Sequence, residues 1–255
     1  MVNAANTRRA AIVTGASYGV GAVTALALAK AGIDVAVTAT RIKNLKATMA
    51  TLDATGVHTL ALELDLNDQA SIEGAVDAAV RTFGGVDILV NNAATTMRKP
   101  ALEVTRDEWD KVIGANLSGT FFITTRFARS LIGSNRPGCI VNIVSTHGLI
   151  GAAEHSVYGI SKGGVIQMTR MLAIEWAGKG VRVNAVAPGR MNTPSPSRAA
   201  TGSDPNYLKA MLERIPLHRL TTVEEVAAAV AFLAGPEAAS ISGQVLVIDG
   251  GITAA

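Results

Sequence analysis

Residues 10–21 read A-A-I-V-T-G-A-S-Y-G-V-G, an apolar run followed by glycines at 15, 19 and 21, and an Ala- and Leu-rich stretch continues to about residue 31. A short, wholly apolar run is the pattern of a strand buried on both faces. The stretch after it has helical composition, so the glycines occupy the turn between strand and helix. Glycine there lets the chain turn tightly and lets an anionic group approach the backbone N–H groups at the helix start. The spacing is not G-x-G-x-x-G, and no G-K-[ST] follows, so an ordinary P-loop is excluded. A strand, a glycine turn and a helix opening a chain point to a dinucleotide-binding parallel sheet.

The same alternation continues outward from this unit. V-A-V-T at 35–38 is a second strand, with a helix through about 54; T-L-A-L-E-L-D at 59–65 is a third, ending near Asp65, with helical periodicity at 68–83. D-I-L-V-N-N-A at 87–93 is a fourth strand, and Thr105 with Glu108 makes a capping box for a long helix to about 132. I-V-N-I-V-S ends the fifth strand at Ser145, a helix covers about 157–177, V-R-V-N-A-V-A-P is the sixth strand and Q-V-L-V-I-D-G the seventh. Apolar strands separated by helices imply an α/β fold with a seven-stranded parallel sheet covered on both faces. No composition break divides residues 1–255, so we read one domain. The least regular stretch, 190–215, is rich in Pro and small polar residues and is expected to be a substrate loop or lid.

Composition narrows the function classes. Of 255 residues, 49% are hydrophobic and 17% charged, which supports a well-buried core. The net charge of +3 comes from scattered basic residues without a phosphate-tracking stripe, and aromatic residues are only 4%, so nucleic acid is not an expected partner. No stretch has the length and apolarity of a membrane span, and the first residues lack an apolar signal region. The single cysteine, Cys139, falls within a strand and reads as a small buried hydrophobe, which fits a reducing, cytoplasmic setting.

Four polar residues fit one chemical device. Tyr158 and Lys162 are four apart in Y-G-I-S-K and share a helical face; Ser145 ends an apolar strand; Asn116 closes the helical-looking W-D-K-V-I-G-A-N. A phenol has a reference pKa of about 10 and is a poor acid or base at neutrality. A neighbouring ammonium favours its phenolate, and a serine hydroxyl can donate to a carbonyl oxygen. Such a set can pass a proton to or from an oxygen while a second agent moves a hydride.

At the nucleotide end, strand two finishes Thr38-Ala39-Thr40-Arg41, with no acid between Asp34 and Asp53 to meet the adenosine ribose. Arg41, helped by Thr40, is placed to meet a 2′-phosphate, which favours NADP over NAD. Asp65 could accept from the adenine amino group, with Leu66 beside it, and Asn91, Asn92 and Ala93 are expected to line the next section of cofactor.

In this order and spacing, T-G-A-S-Y-G-V-G, N-N-A-A, Asn116, Ser145, Y-x-x-x-K at 158–162 and P-G at 188–189 resemble the classical short-chain dehydrogenases/reductases, over about residues 8 to 251. The resemblance implies a single-domain Rossmann fold, a nicotinamide cofactor and a homotetramer or homodimer. By the same resemblance Tyr158 is the general acid/base and Lys162 lowers its pKa and binds the nicotinamide ribose. Ser145 positions the substrate oxygen, and Asn116 holds a proton-relay water through its local backbone. Gly15, Gly19 and Gly21 match the cofactor glycines, and Ser17, Tyr18 and Val20 complete that turn. Pro188, Gly189, Met191 and Thr193 fall on the nicotinamide side, Thr193 resembling the threonine that meets the carboxamide. The chain departs from the family at Ala94 (commonly Gly), at Tyr18 (a basic residue in many NADP-using members) and at Met191 (usually Ile).

The implied activity is hydride transfer between NADP(H) and a carbonyl or secondary alcohol, in the manner of a 3-oxoacyl or ketone reductase. An NAD-dependent sugar or polyol dehydrogenase is the alternative, and a non-catalytic dinucleotide-binding regulator is the alternative of another class. A regulator would keep the glycines without needing the proton-transfer groups. Four histidines do not make a metal site, because apart from nearby Glu154 no acidic residues cluster with them at ligand spacing; His147 and His155 stand as pocket wall or as surface histidines. The substrate walls are Thr95, Thr96, Met97, His147, Leu149, His155 and the 190–215 segment. No cation is fixed for a substrate carboxylate, though Arg98, Arg190 and Arg198 could reach one.

Overall fold

The computed structural model describes residues 8–191, 193 and 205–255. Strand β1 (Ala10–Val13) is an interior strand of a seven-stranded sheet, with β2 (Asp34–Ala39) and β3 (Thr59–Glu63) on one side, and β4 (Ile88–Asn91), β5 (Gly138–Ile143), β6 (Val181–Pro188) and β7 (Val245–Ile248) on the other. Every pairing is parallel and the order is β3-β2-β1-β4-β5-β6-β7. The chain reverses its direction of travel across the sheet between β1 and β4, the switch point at which such sheets bind ligands.

Helices α1 (Gly19–Lys30), α2 (Lys46–Asp53), α3 (Gln69–Phe83), α4 (Arg106–Ile113), α5 (Thr120–Gly133), α6 (Ser156–Trp176), α7 (Pro205–Glu213) and α8 (Val223–Ala234) complete the described part. Successive strand residues point to opposite faces, and both faces are covered, so both sets are apolar. Ile12, Leu89, Ile140 and Val183 pack with α3, α5 and α6 residues such as Val76, Phe127 and Leu172. Their strand neighbours Val13, Val90 and Val141 pack on the other face with Leu28, Leu52 and Val230 from α1, α2 and α8. This is why the strands read as unbroken apolar runs rather than as alternating ones.

Two expectations change in detail. The long helix after Thr105 starts with the capping box, Thr105 Oγ1 accepting from the Glu108 N–H at 3.2 Å and Glu108 Oε2 from the Thr105 N–H at 2.9 Å. It is then interrupted: the α-helix stops at Ile113, a π-helical turn spans Gly114–Gly119, and α-helix resumes at Thr120. The Asn116 side chain, 1% exposed, is engaged outside the helix, and a Cβ at Gly119 would lie 2.2 Å from the Leu66 carbonyl oxygen. The widened turn lets the helix pass that close to the β3–α3 loop. In the stretch expected to be irregular, 190–215, residues Pro205–Glu213 form α7, while Asn192 and 194–204, Arg198 included, lie outside the described residues.

Candidate active site

A cleft of about 350 Å³ opens at the carboxyl ends of the central strands, within the range of small-molecule and cofactor sites. Gly15, Ser17, Tyr18, Gly19 and Val20 of the β1–α1 turn line it. From β2 come Thr38, Ala39 and Thr40, and beyond β3 Leu64, Asp65, Leu66 and Asn67. Asn92 to Thr96 follow β4; Ser145, Tyr158 and Lys162 form the far wall with Pro188, Gly189, Met191 and Thr193.

The glycine turn is shaped by what passes it. Gly15 has φ +63° and a Cβ there would lie 2.7 Å from the Ala93 Cα; a Cβ on Gly21 would fall 2.5 Å from both Asn92 Nδ2 and the Gly15 oxygen. Gly21 therefore packs the turn and does not line the cleft. Gly19, at φ +61°, meets nothing nearer than Thr193 Cγ2 at 4.0 Å, so its missing side chain leaves open space. Space above glycine backbone at the amino end of α1 is what a dinucleotide phosphate needs, and these residues fit such a group. Asn92 fastens the turn, its Nδ2 donating to the Thr14 and Gly15 oxygens, while Thr14 Oγ1 accepts from the N–H groups of Asn92 and Ala93.

Asn91, expected to line the cleft, does not. It is buried and donates to Thr124 Oγ1 at 2.7 Å and Asn142 Oδ1 at 2.8 Å. Adjacent strand residues face opposite ways, so of the two asparagines only Asn92 is turned to the ligand side. Arg41 is exposed at the rim and outside the lining, although its neighbour Thr40 is within it. Strand β3 brings an acid that the chain order hid: Glu63 Oε1 accepts from the Ile42 N–H at 2.9 Å, next to Arg41.

At the far wall, Tyr158 and Lys162 lie one turn apart near the start of α6. Lys162 Nζ donates to the Ile143 carbonyl at 2.7 Å and lies 5.9 Å from the Tyr158 ring centroid. Burial pushes the Lys162 ammonium down to about 8. Ser145 stands two residues past β5, its Oγ accepting the His147 N–H at 3.2 Å. Asn116 does not line the cleft but sits directly behind it. Its Oδ1 accepts from the Thr95 N–H at 2.7 Å, and its Nδ2 donates to the Thr95 oxygen at 2.9 Å and to Ser161 Oγ at 3.0 Å. Ser161 in turn donates to the Tyr158 carbonyl at 2.7 Å. The Ser161 link was not anticipated, though its place in Y-G-I-S-K, one residue before Lys162, was a signal for it. Among the described residues no three His, Cys, Asp or Glu side chains gather as a metal site would, and no helix is long and apolar enough to cross a membrane.

A doubly wound parallel sheet with a glycine turn over the switch point and a Ser–Tyr–Lys wall defines a nicotinamide-dinucleotide oxidoreductase class. The comparisons agree. A family model described as Enoyl-(Acyl carrier protein) reductase matches residues 15–253. The chain is 36% identical over 243 residues to 3beta-hydroxysteroid dehydrogenase 1 of Eggerthella lenta, covering 95% of this chain and 92% of the relative. It is 37% identical over 246 residues to D-threitol dehydrogenase of Mycolicibacterium smegmatis, covering 96% and 93%. Its fold superposes with a TM-score of 0.91 on levodione reductase, 31% identical over 97% of this chain and 98% of that one. The chain belongs to the classical short-chain dehydrogenase/reductase family, and NAD(P)-dependent oxidoreductase activity follows from that membership.

Proposed function

We propose that the protein interconverts a carbonyl and a secondary alcohol, preferring NADP(H), with Tyr158 as proton donor and acceptor. The observation that carries this reading is the placement of Ser145, Tyr158 and Lys162 on one wall of the cleft, with the Lys162 ammonium buried beside the tyrosine ring. When bound, the nicotinamide cofactor supplies or takes the hydride. The chain's own residues handle the oxygen and its proton. Ser145 Oγ donates to the substrate oxygen, where charge grows as reduction proceeds, and Tyr158 Oη gives up its proton there. The Lys162 charge stabilises the phenolate left behind, and Asn116 keeps the π turn and the 94–96 segment in register with α6. In oxidation the same groups run in reverse.

The relatives act, by their names, on a steroid, a polyol and a dione, and so favour no single skeleton. The NADP preference rests on Thr40 and Arg41 and on the lack of an acid at the end of β2. A homo-oligomer fits the exposed apolar side chains of α5 and α6, Phe121, Phe122, Ile160, Met171 and Ile174. The test is oxidation of NADPH and NADH over a panel of ketones, oxoacyl thioesters and sugars. Turnover of at least one class is expected; a cofactor that binds yet is oxidised by none would favour the regulatory alternative.

A further inference from the structure

Beside Tyr158, outside the residues that line the dinucleotide cleft, two imidazoles meet. His147 stands edge-on to the tyrosine ring, centroids 6.1 Å apart at 89°, and its ring lies 4.5 Å from that of His155. His147 is two residues past Ser145, which accepts its N–H, and His155 is three residues before Tyr158. Each imidazole is therefore tethered within a few residues of a group assigned to the reacting oxygen. His155 Nδ1 lies 2.8 Å from the Ala153 carbonyl. A carbonyl only accepts, so Nδ1 carries a proton and Nε2 is the atom left to meet a ligand.

The segment that presents His155 is held firmly. Glu154 has φ +64°, unusual for a residue with a side chain; its carbonyl accepts from the Lys99 N–H at 2.7 Å and its carboxylate pairs with Arg98 at 2.6 Å. Non-glycine backbone in the left-handed region persists where surrounding contacts impose it, and such positions gather at ligand sites. The Arg98 pairing also commits the acid nearest to His155 in sequence. The carboxylate lining the cleft, Asp65, lies beyond β3 at the opposite edge of the site from α6. His155 precedes the amino end of the 21-residue α6, where the helix dipole favours an anion. A bound carboxylate would itself favour the protonated imidazole, in which His155 Nε2 donates to it. With no third ligand-type side chain among the described residues, a metal does not explain it.

We propose that His147 and His155 form a subsite for a substrate carboxylate, so that the compound oxidised or reduced at Tyr158 is a short hydroxy acid or oxo acid. This rests on the assignment of Tyr158 and adds the class of substrate to it. The reaction at the carbinol carbon is unchanged, and the carboxylate is a spectator that fixes orientation.

The test compares short hydroxy acids, with the hydroxyl on the second, third or fourth carbon, with their methyl esters. They are assayed in the parent, His147→Leu, His155→Leu and His155→Lys, with melting temperature and cofactor affinity as folding controls. The parent is expected to favour its best acid over the matching ester by at least about tenfold in kcat/KM, roughly the 1.4 kcal/mol of one charge-assisted contact. That ratio collapses in the two leucine variants through the KM of the acid, and His155→Lys, which keeps a cation, restores it. A parent ratio near one, or a ratio unmoved by the leucine variants, would overturn the subsite and leave the Tyr158 assignment standing. Calorimetry of the same acids against cofactor-loaded protein reads the subsite without turnover. Equal affinity in the parent and His155→Leu would overturn it even where the Tyr158 assignment had failed.

Discussion

Lys162 combines the catalytic role proposed for it with a cost to stability. Its ammonium is 4% exposed and titrates near 8 in the fold against 10.5 as a free group. Between those values the unfolded chain holds the extra proton, so stability rises as the pH climbs through that window, and below about 8 the full burial cost of about 3 kcal/mol applies. Lys162→Met is expected to raise the melting temperature at neutral pH while abolishing turnover; a fall in melting temperature would mean that the bond to the Ile143 carbonyl outweighs the burial cost. Arg41 and Glu63 make the second residue-scale case. Arg41→Ala is predicted to lower kcat/KM for NADPH about tenfold with little change for NADH, and Glu63→Gln, which keeps an acceptor for the Ile42 N–H, to favour NADPH further. Equal loss with both cofactors would place Arg41 away from the 2′-phosphate. Glu63 is not apparent from the linear sequence because it lies on β3, more than twenty residues beyond the end of β2. The parallel pairing of Ala39 with Glu63 brings the acid in from the next strand.

At the scale of elements, caps and strand periodicity were legible and local distortions were not. Strands ending near Asp65 and Ser145 follow from apolar runs, and the Thr105–Glu108 box from its spacing. The π turn has no such signature, because Asn116 bonds to Thr95 and Ser161, which are distant in the chain. The inward turn of Asn91 was legible in principle from the two-residue strand period. Helix α8 carries a second box, Thr222 accepting from Glu225 N–H and Glu225 from Thr222 N–H. Its carboxyl end is held by Arg182, which donates to the Leu233 and Gly235 carbonyls. The Arg219 guanidinium beside Glu225 holds that carboxyl at about 2. Thr222→Ala is expected to cost about 1 kcal/mol and lower the melting temperature by roughly 2–4 °C. Chemical denaturation with unchanged kcat/KM would confirm a purely structural role, whereas unaltered stability would show the box to be redundant.

For the whole molecule, the alternation of strands and helices dictated a parallel sheet, and the sheet's switch point gathers residues from every third of the chain onto one rim. Substrate choice was not legible at this scale, since it depends on side chains such as His147 and His155 that meet only once β5 and α6 are packed. The central claim is that this rim is a proton-transfer site built around Tyr158, and Tyr158→Phe tests it most directly. The substitution removes one oxygen and leaves the ring against His147. With saturating cofactor and the best substrate, we predict cofactor affinity within a factor of about three of the parent and turnover reduced by about 10²–10⁴, the range of general acid–base catalysis. Turnover within tenfold of the parent, with cofactor affinity intact, would contradict the account.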